Sequence, residues 1–272
     1  RAGIWKPRTR PGQYEGAGAE GLKWLIQAKK ETGLPVTTEV ANAAHVEACL
    51  KAGVDILWVG ARTTVNPFSV QEVADSLKGV DIPVMVKNPI NPDLELWIGA
   101  LDRLNKARIT KMAAIHRGFS SFEKGPFRNA PMWDMAIELK TRIPELDIIC
   151  DPSHIAGNRD LISFICQKAL DLDMAGLMIQ SHIDPDAAWS DAKQQVTPAV
   201  LGKIIDSLVV RTVSSDNKTF KDTLSILREQ IDQLDDEIMS KMAARMKISE
   251  KIGQYKKENG VTILQVHRWE EI

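Results

Sequence analysis

Charge of one sign is what the sequence lacks first: 35 Lys and Arg stand against 36 Asp and Glu, a net charge of -1. No global field therefore draws the chain to nucleic acid or to an anionic membrane surface, and any anion site must be local. No apolar run approaches the roughly 18 residues that span a bilayer, and Arg1-Ala2-Gly3-Ile4-Trp5-Lys6 has no signal-peptide core. Cysteine is scarce: Cys49, Cys150 and Cys166 are odd in number and widely spaced in apolar runs, unlike a secreted disulfide framework. A reducing cytoplasm is the compartment expected. No Gly-x-x-x-x-Gly-Lys loop, dinucleotide fingerprint or Cys-x-x-Cys pair appears, which removes nucleotide and zinc-ribbon readings. There is no internal repeat.

What is there suits one large domain with a smaller appendage. From Val36 to about His182, short β-rich runs alternate with longer amphipathic ones, the pattern of βα units around a parallel sheet. Strands are expected at Val36–Val40, Ile56–Ala61, Pro83–Asn88, Met112–Gly118, Asp147–Ser153 and Gly176–His182, with Arg1–Trp5 as the tail of an earlier one. Helices are expected at Gly21–Thr32, Ala43–Ala52, Pro131–Arg142 and Asp160–Leu170. Seven strands are visible where a closed (β/α)8 TIM barrel has eight, so the expectation is an α/β barrel whose first strand precedes this chain.

Thr197-Pro198 then reads as an N-cap with proline at the first helical position, opening a last barrel helix to about Val210. Ser214-Ser215-Asp216-Asn217 is a polar linker. Beyond it Leu227, Ile231, Leu234, Ile238, Met242 and Ile252 recur at three- and four-residue steps and their multiples, as on one long helix. The domains expected are 1–213, a linker at 214–217, and 218–272.

In a parallel barrel the loops after the strand ends build the active site. Those positions carry Lys6, Arg8, Arg62, Lys87 and Arg117. Singly, each reads as a solvated charge. Five mutually repelling cations on one rim call for anions, and phosphorylated or carboxylated substrates suit guanidinium forks. The last strand ends change character, to Asp151-Pro152-Ser153-His154 and Gln180-Ser181-His182, with Ser190-Asp191 following. His154 and Asp191 suit a divalent metal, although a loop histidine and a turn aspartate explain the pair equally simply.

Lys6-Pro7-Arg8-Thr9, Gly60-Ala61-Arg62, Pro83-Val84-Met85-Val86-Lys87, His116-Arg117-Gly118, Asp151-Pro152-Ser153-His154 and Ser190-Asp191 with Gln194-Gln195 together resemble the type Iβ 3-deoxy-D-arabino-heptulosonate 7-phosphate (DAHP) synthases. The resemblance implies condensation of phosphoenolpyruvate with erythrose 4-phosphate, the first step of the shikimate pathway. It places Arg62, Lys87 and Arg117 on the phosphoenolpyruvate phosphate, Lys6 and Arg1 by its carboxylate, and Arg8 and Thr9 on erythrose 4-phosphate. Lys87 and Lys6 are its catalytic candidates, Lys87 as proton donor. It also implies a divalent metal ion, with manganese, cobalt, zinc and iron all candidates, at His154, Gln180 and Asp191. Gln180 stands where the family has glutamate, and a neutral amide is the weaker ligand for a hard cation. The family's metal cysteine belongs to a segment before Arg1, so none of the three cysteines here takes that role. The related 3-deoxy-octulosonate 8-phosphate synthase is the enzymatic alternative, but it carries Lys-Ala-Asn-Arg in place of Lys6-Pro7-Arg8-Thr9. A non-catalytic dimerising module is the alternative from another class.

On the C-terminal helix Ile231, Ile238, Arg245 and Ile252 are spaced by seven, so Arg245 interrupts an apolar stripe, and Lys256 falls near the same face. Either these cations set the register of a coiled coil or they meet an anion. Leu227-Arg228-Glu229-Gln230-Ile231-Asp232, Ala244-Arg245 and Ile252-Gly253-Gln254-Tyr255-Lys256 resemble the first helix of the all-helical chorismate mutases, whose dimers intertwine. That resemblance implies chorismate as a ligand of Arg245 and Lys256, with Arg228 reaching into the partner's site. It adds Arg268 from a second helix, a homo-oligomer formed through this helix, and feedback regulation of the fused synthase.

Overall fold

The computed structural model describes residues 2–8, 10–123, 125–212 and 214–264, in two compact units, Arg1–Arg211 and Thr212–Ile272. In the first unit six strands, β1 (Thr37–Val40), β2 (Ile56–Val59), β3 (Val84–Lys87), β4 (Met112–His116), β5 (Asp147–Cys150) and β6 (Gly176–Leu177), form one parallel sheet in chain order. Helices lie between consecutive strands, the connection that parallel pairing requires. Val84, Met85 and Val86 are all buried, the continuous apolar run of a strand covered on both faces.

Local chemistry fixes the helices. Asn42 caps Ala43–Ala52 by accepting from the His45 N–H, and Gly53, at φ 83°, ends it. Asp93 caps Leu94–Lys106, which buries Trp97, Ala100, Leu101 and Leu104 at steps of three, one and three against the sheet. A smaller inner cluster of Trp58, Met85, Ile115 and Met178 fills the other face of the sheet.

The sheet departs from expectation at its two ends. Among the described residues, Ala2–Trp5 is not a strand: Ala2 N–H donates to the Thr37 carbonyl at 3.3 Å, and the Thr38 hydroxyl then takes both the Ala2 carbonyl and the Ile4 N–H. A side chain replaces the ladder there. The last strand stops at Leu177 rather than His182. One further rung, Met178 N–H to the Cys150 carbonyl, is made before the Ser153 hydroxyl accepts the Gln180 N–H at 2.9 Å.

In the second unit Lys218–Glu258 is a single helix of 41 residues, about 60 Å long, capped by Asn217. None of its residues is buried, and Ile231, Leu234, Ile238, Met242 and Ile252 are each more than half exposed.

Candidate active site

Because every strand runs the same way, the carboxyl ends of β1 to β5 open onto one mouth. Lys87, the last residue of β3, is buried, and its Nζ lies 2.7 Å from Asp151 Oδ2. Asp151 follows β5 and is fully buried, its N–H donating to the His116 carbonyl at 2.7 Å. The same Oδ2 lies 2.8 Å from His154 Nδ1, while Oδ1 caps Pro152–Ala156 through the His154 N–H. One carboxylate thus holds an ammonium and an imidazole together. Burial pushes His154 down to about 4, so at neutral pH the ring is neutral and gives its Nδ1 proton to Asp151, leaving Nε2 as an acceptor.

Arg117 follows β4 and is also buried. Its guanidinium donates to the Gly118 carbonyl at 3.1 Å and to Asn129 Oδ1 at 2.8 Å. Asn88, from the end of β3, accepts the Arg117 N–H at 2.7 Å and donates to the Gly118 carbonyl at 2.8 Å. Asn129 in turn donates to the His154 carbonyl at 2.6 Å. Burial lowers Arg117 to about 10, which leaves it charged at neutral pH. Arg62 comes from the short helix Ala61–Thr64 after β2, and the Thr64 hydroxyl ties that turn to the Lys87 carbonyl at 2.9 Å.

Arg62, Lys87, Arg117, Asn129 and His154 line a single cavity of about 490 Å³, with Asp151 and Asn88 buried behind its wall. It gathers all five expected cations, Lys6, Arg8, Arg62, Lys87 and Arg117, with His154 and Asp191, and adds Arg10, Glu39, Arg128 and Asn129, which the strand-end argument did not reach. Seven cations face two carboxylates, so the mouth is strongly electropositive. Glu39 accepts from Trp58 Nε1 at 3.2 Å. Arg1 and Thr9 lie outside the described residues.

Asp191 is held below the usual carboxylate range: burial pushes it up, but His154, Arg128 and Lys6 together outweigh that. An Arg128 N–H lies 3.1 Å from Asp191 Oδ1, and Lys6 Nζ lies 3.9 Å from Oδ2. Arg128 also donates to the buried Gln194 Oε1 at 2.6 Å, and Gln194 Nε2 donates to Gln180 Oε1 at 2.6 Å. Gln180 lines a neighbouring cavity rather than this mouth.

Residues 1–214 match the family model of the DAHP synthetase I family. The chain belongs to that family. Residues 227–272 match chorismate mutase type II. Phospho-2-dehydro-3-deoxyheptonate aldolase of Thermotoga maritima is 27% identical over 208 residues, 76% of this chain and 60% of that protein. A 2-dehydro-3-deoxyphosphooctonate aldolase of Polaromonas naphthalenivorans is 25% identical over 224 residues, 74% of each. The crystal structure of the Thermotoga DAHP synthase superposes with a TM-score of 0.67 at 26% identity, covering 76% of this chain and 58% of that one. The chain therefore spans about three fifths of the Thermotoga protein.

The DAHP synthetase I family is generally metal-dependent. Among the described residues no three His, Cys, Asp or Glu side chains come together as a metal site. His154 Nε2 and Asp191 are the two candidate donors, and the Gln180 carboxamide oxygen already accepts from Gln194. Among the described residues, these donors alone are too few for a divalent cation. The three thiols offer no replacement: all are buried, and burial raises Cys49 and Cys166 to about 12 and Cys150 well above the usual thiol range.

Of the residues matched to the mutase family, Arg228 and Arg245 are exposed on the long helix, while the partly buried Lys256 donates to the Ile263 carbonyl at 2.9 Å. Arg268 lies outside the described residues.

Proposed function

We propose that residues 1–213 form the catalytic barrel of a DAHP synthase, and that 218–272, beyond a linker at 214–217, open a chorismate mutase domain. The mutase domain would turn chorismate into prephenate and pass feedback from a downstream product to the barrel. The observation that carries the reading is the buried pair of cations, Lys87 and Arg117, fixed from behind by Asp151, Asn88 and Asn129 in a mouth with a large excess of positive charge. Such rigidity makes a prepaid anion site.

Arg62, Lys87 and Arg117 take the phosphate of phosphoenolpyruvate, Lys6 and Arg1 its carboxylate, and Arg8 and Thr9 the phosphate of erythrose 4-phosphate. Carbon 3 of phosphoenolpyruvate forms the new bond to the aldehyde carbon, water adds at carbon 2, and the bond from carbon 2 to the phosphate oxygen breaks. Lys87, ion-paired with Asp151 at 2.7 Å, is the nearby proton donor. The match to the phosphooctonate aldolase supports the eight-carbon product, and so a five-carbon aldose phosphate, as the rival, whereas Lys6-Pro7-Arg8-Thr9 favours erythrose 4-phosphate. Arg245, Lys256, Arg228 and Arg268 serve chorismate, and the exposed stripe through Ile231, Ile238 and Ile252 pairs with a second copy of the chain. A cytoplasmic location agrees with the three free thiols, and among the described residues no helix is long and apolar enough to cross a membrane.

Phosphate release by the full-length protein, with each sugar phosphate in turn, tests the reading. Arg62→Ala or Arg117→Ala should lower kcat/KM for phosphoenolpyruvate about 100-fold or more. Turnover near that of the parent protein in either variant would defeat the assignment, and a preference for a five-carbon aldose phosphate would transfer it to the octulosonate reaction.

A further inference from the structure

The two halves of the mouth are anchored differently. Lys87 and Arg117 stand at strand ends, whereas Lys6, Arg8, Arg10 and Gln13 reach the cavity from the loop that precedes the helix Glu20–Thr32. The base of that loop is pinned, the Lys6 N–H donating to the Glu15 carbonyl at 2.7 Å and the Gly18 N–H to the Ile4 carbonyl at 2.9 Å. Toward its tip, Arg8 Nε donates to the Tyr14 carbonyl at 2.7 Å, which turns the two terminal nitrogens of the guanidinium to the cavity that Arg8 lines. The direction of that fork therefore follows the main chain at Tyr14.

The Tyr14 ring meets Trp189 edge to face, with centroids 5.4 Å apart and planes at 69°. Trp189 belongs to the loop that carries Asp191, and that loop is firmly held. The Val196 N–H donates to the Gln180 carbonyl at 3.2 Å, the His182 N–H to the Val196 carbonyl at 3.0 Å, and Gln195 Nε2 to the Ser190 carbonyl at 2.8 Å. Both rings line the neighbouring cavity with Gln180 rather than the mouth, so they stand behind the substrate-facing groups. We propose that Tyr14 and Trp189 are positioning residues for the aldose phosphate: their ring contact ties the Arg8 loop to the anchored Asp191 loop and sets the direction of the Arg8 fork. The inference rests on the condensation reading above, which gives Arg8 to that substrate. The phosphoenolpyruvate half, fixed by Asp151, Asn88 and Asn129, does not depend on the contact.

The test is initial-rate kinetics of the full-length protein with phosphoenolpyruvate and each aldose phosphate. Trp189→Ala and Tyr14→Ala should each raise KM for the aldose phosphate roughly 3- to 10-fold, the range of one aromatic pair, and leave KM for phosphoenolpyruvate within about twofold. The double variant should be no worse than the worse single one, because both remove the same contact. Tyr14→Phe, which keeps the ring, should restore the parent values. Trp189→Leu, which keeps apolar bulk without a ring, should show the same split should thermal melts find Trp189→Ala unfolded. An unchanged KM for the aldose phosphate, an equal rise in both KM values or additive effects in the double variant overturns the inference and leaves the condensation reading standing. A parent protein that condenses neither aldose phosphate defeats that reading, and the inference with it.

Discussion

Asp151 shows how much of the site rests on one buried atom. Its Oδ2 receives Lys87 and His154 at 2.7 and 2.8 Å, so the ammonium position and the imidazole tautomer are set together. Asp151→Asn keeps the shape and the cap on the His154 N–H but leaves the buried Lys87 charge less compensated. Breaking a buried pair from one side costs about 3–5 kcal/mol. Denaturant unfolding should register a loss of that order, with condensation activity falling in parallel; unchanged stability would mean that Lys87 has moved to another anion. Five of the seven cations of the mouth were legible in the sequence because strand ends can be counted, whereas Arg10 and Arg128 were not. Asp151 stood within a motif without a role of its own, and Asn88, Asn129 and Arg128 were missed. Asn88 and Asn129 hold backbone carbonyls and a neighbouring side chain, contacts that leave no periodic trace.

At the scale of elements, strand starts fell within a residue of expectation for β1 to β6, because the switch from a polar turn to a β-branched run is written locally. Strand ends fell as close only for β1 and β3 and came early for β2, β4, β5 and β6, since a strand stops wherever a side chain captures a following N–H, as the Ser153 hydroxyl does for Gln180. The turn after β4 shows the same dependence on distant atoms. Gly118 has φ 76°, and a Cβ there would lie 2.8 Å from the Asn129 carbonyl oxygen. Gly118→Ala should therefore destabilise the chain by about 1–3 kcal/mol and, by shifting the adjacent Arg117, raise KM for phosphoenolpyruvate more than it lowers kcat. Thermal melts and initial-rate kinetics check both parts. An unchanged KM would show that the guanidinium does not depend on this turn.

Across the whole molecule, the two units were foreshadowed by a change of period, from βα alternation to steps of three and four. The first unit closes its own last segment: Gln167 bonds the Val209 backbone in both directions, and Arg211 pairs with Asp171. Truncating the full-length protein after Arg211 should leave a cooperative melt and the condensation intact while abolishing any response to chorismate or prephenate. A truncated chain that aggregates would show that the barrel depends on the second unit. The chain-order sheet also has a consequence in time. Lys87 and Asp151 are 64 residues apart, Arg128 and Asp191 63, and the backbone bridge of Ser181 to Val196 comes later still. A chain emerging from the ribosome would therefore carry its cations long before their carboxylates, so the electropositive mouth would take its final form only as the last tenth of the barrel leaves the exit tunnel.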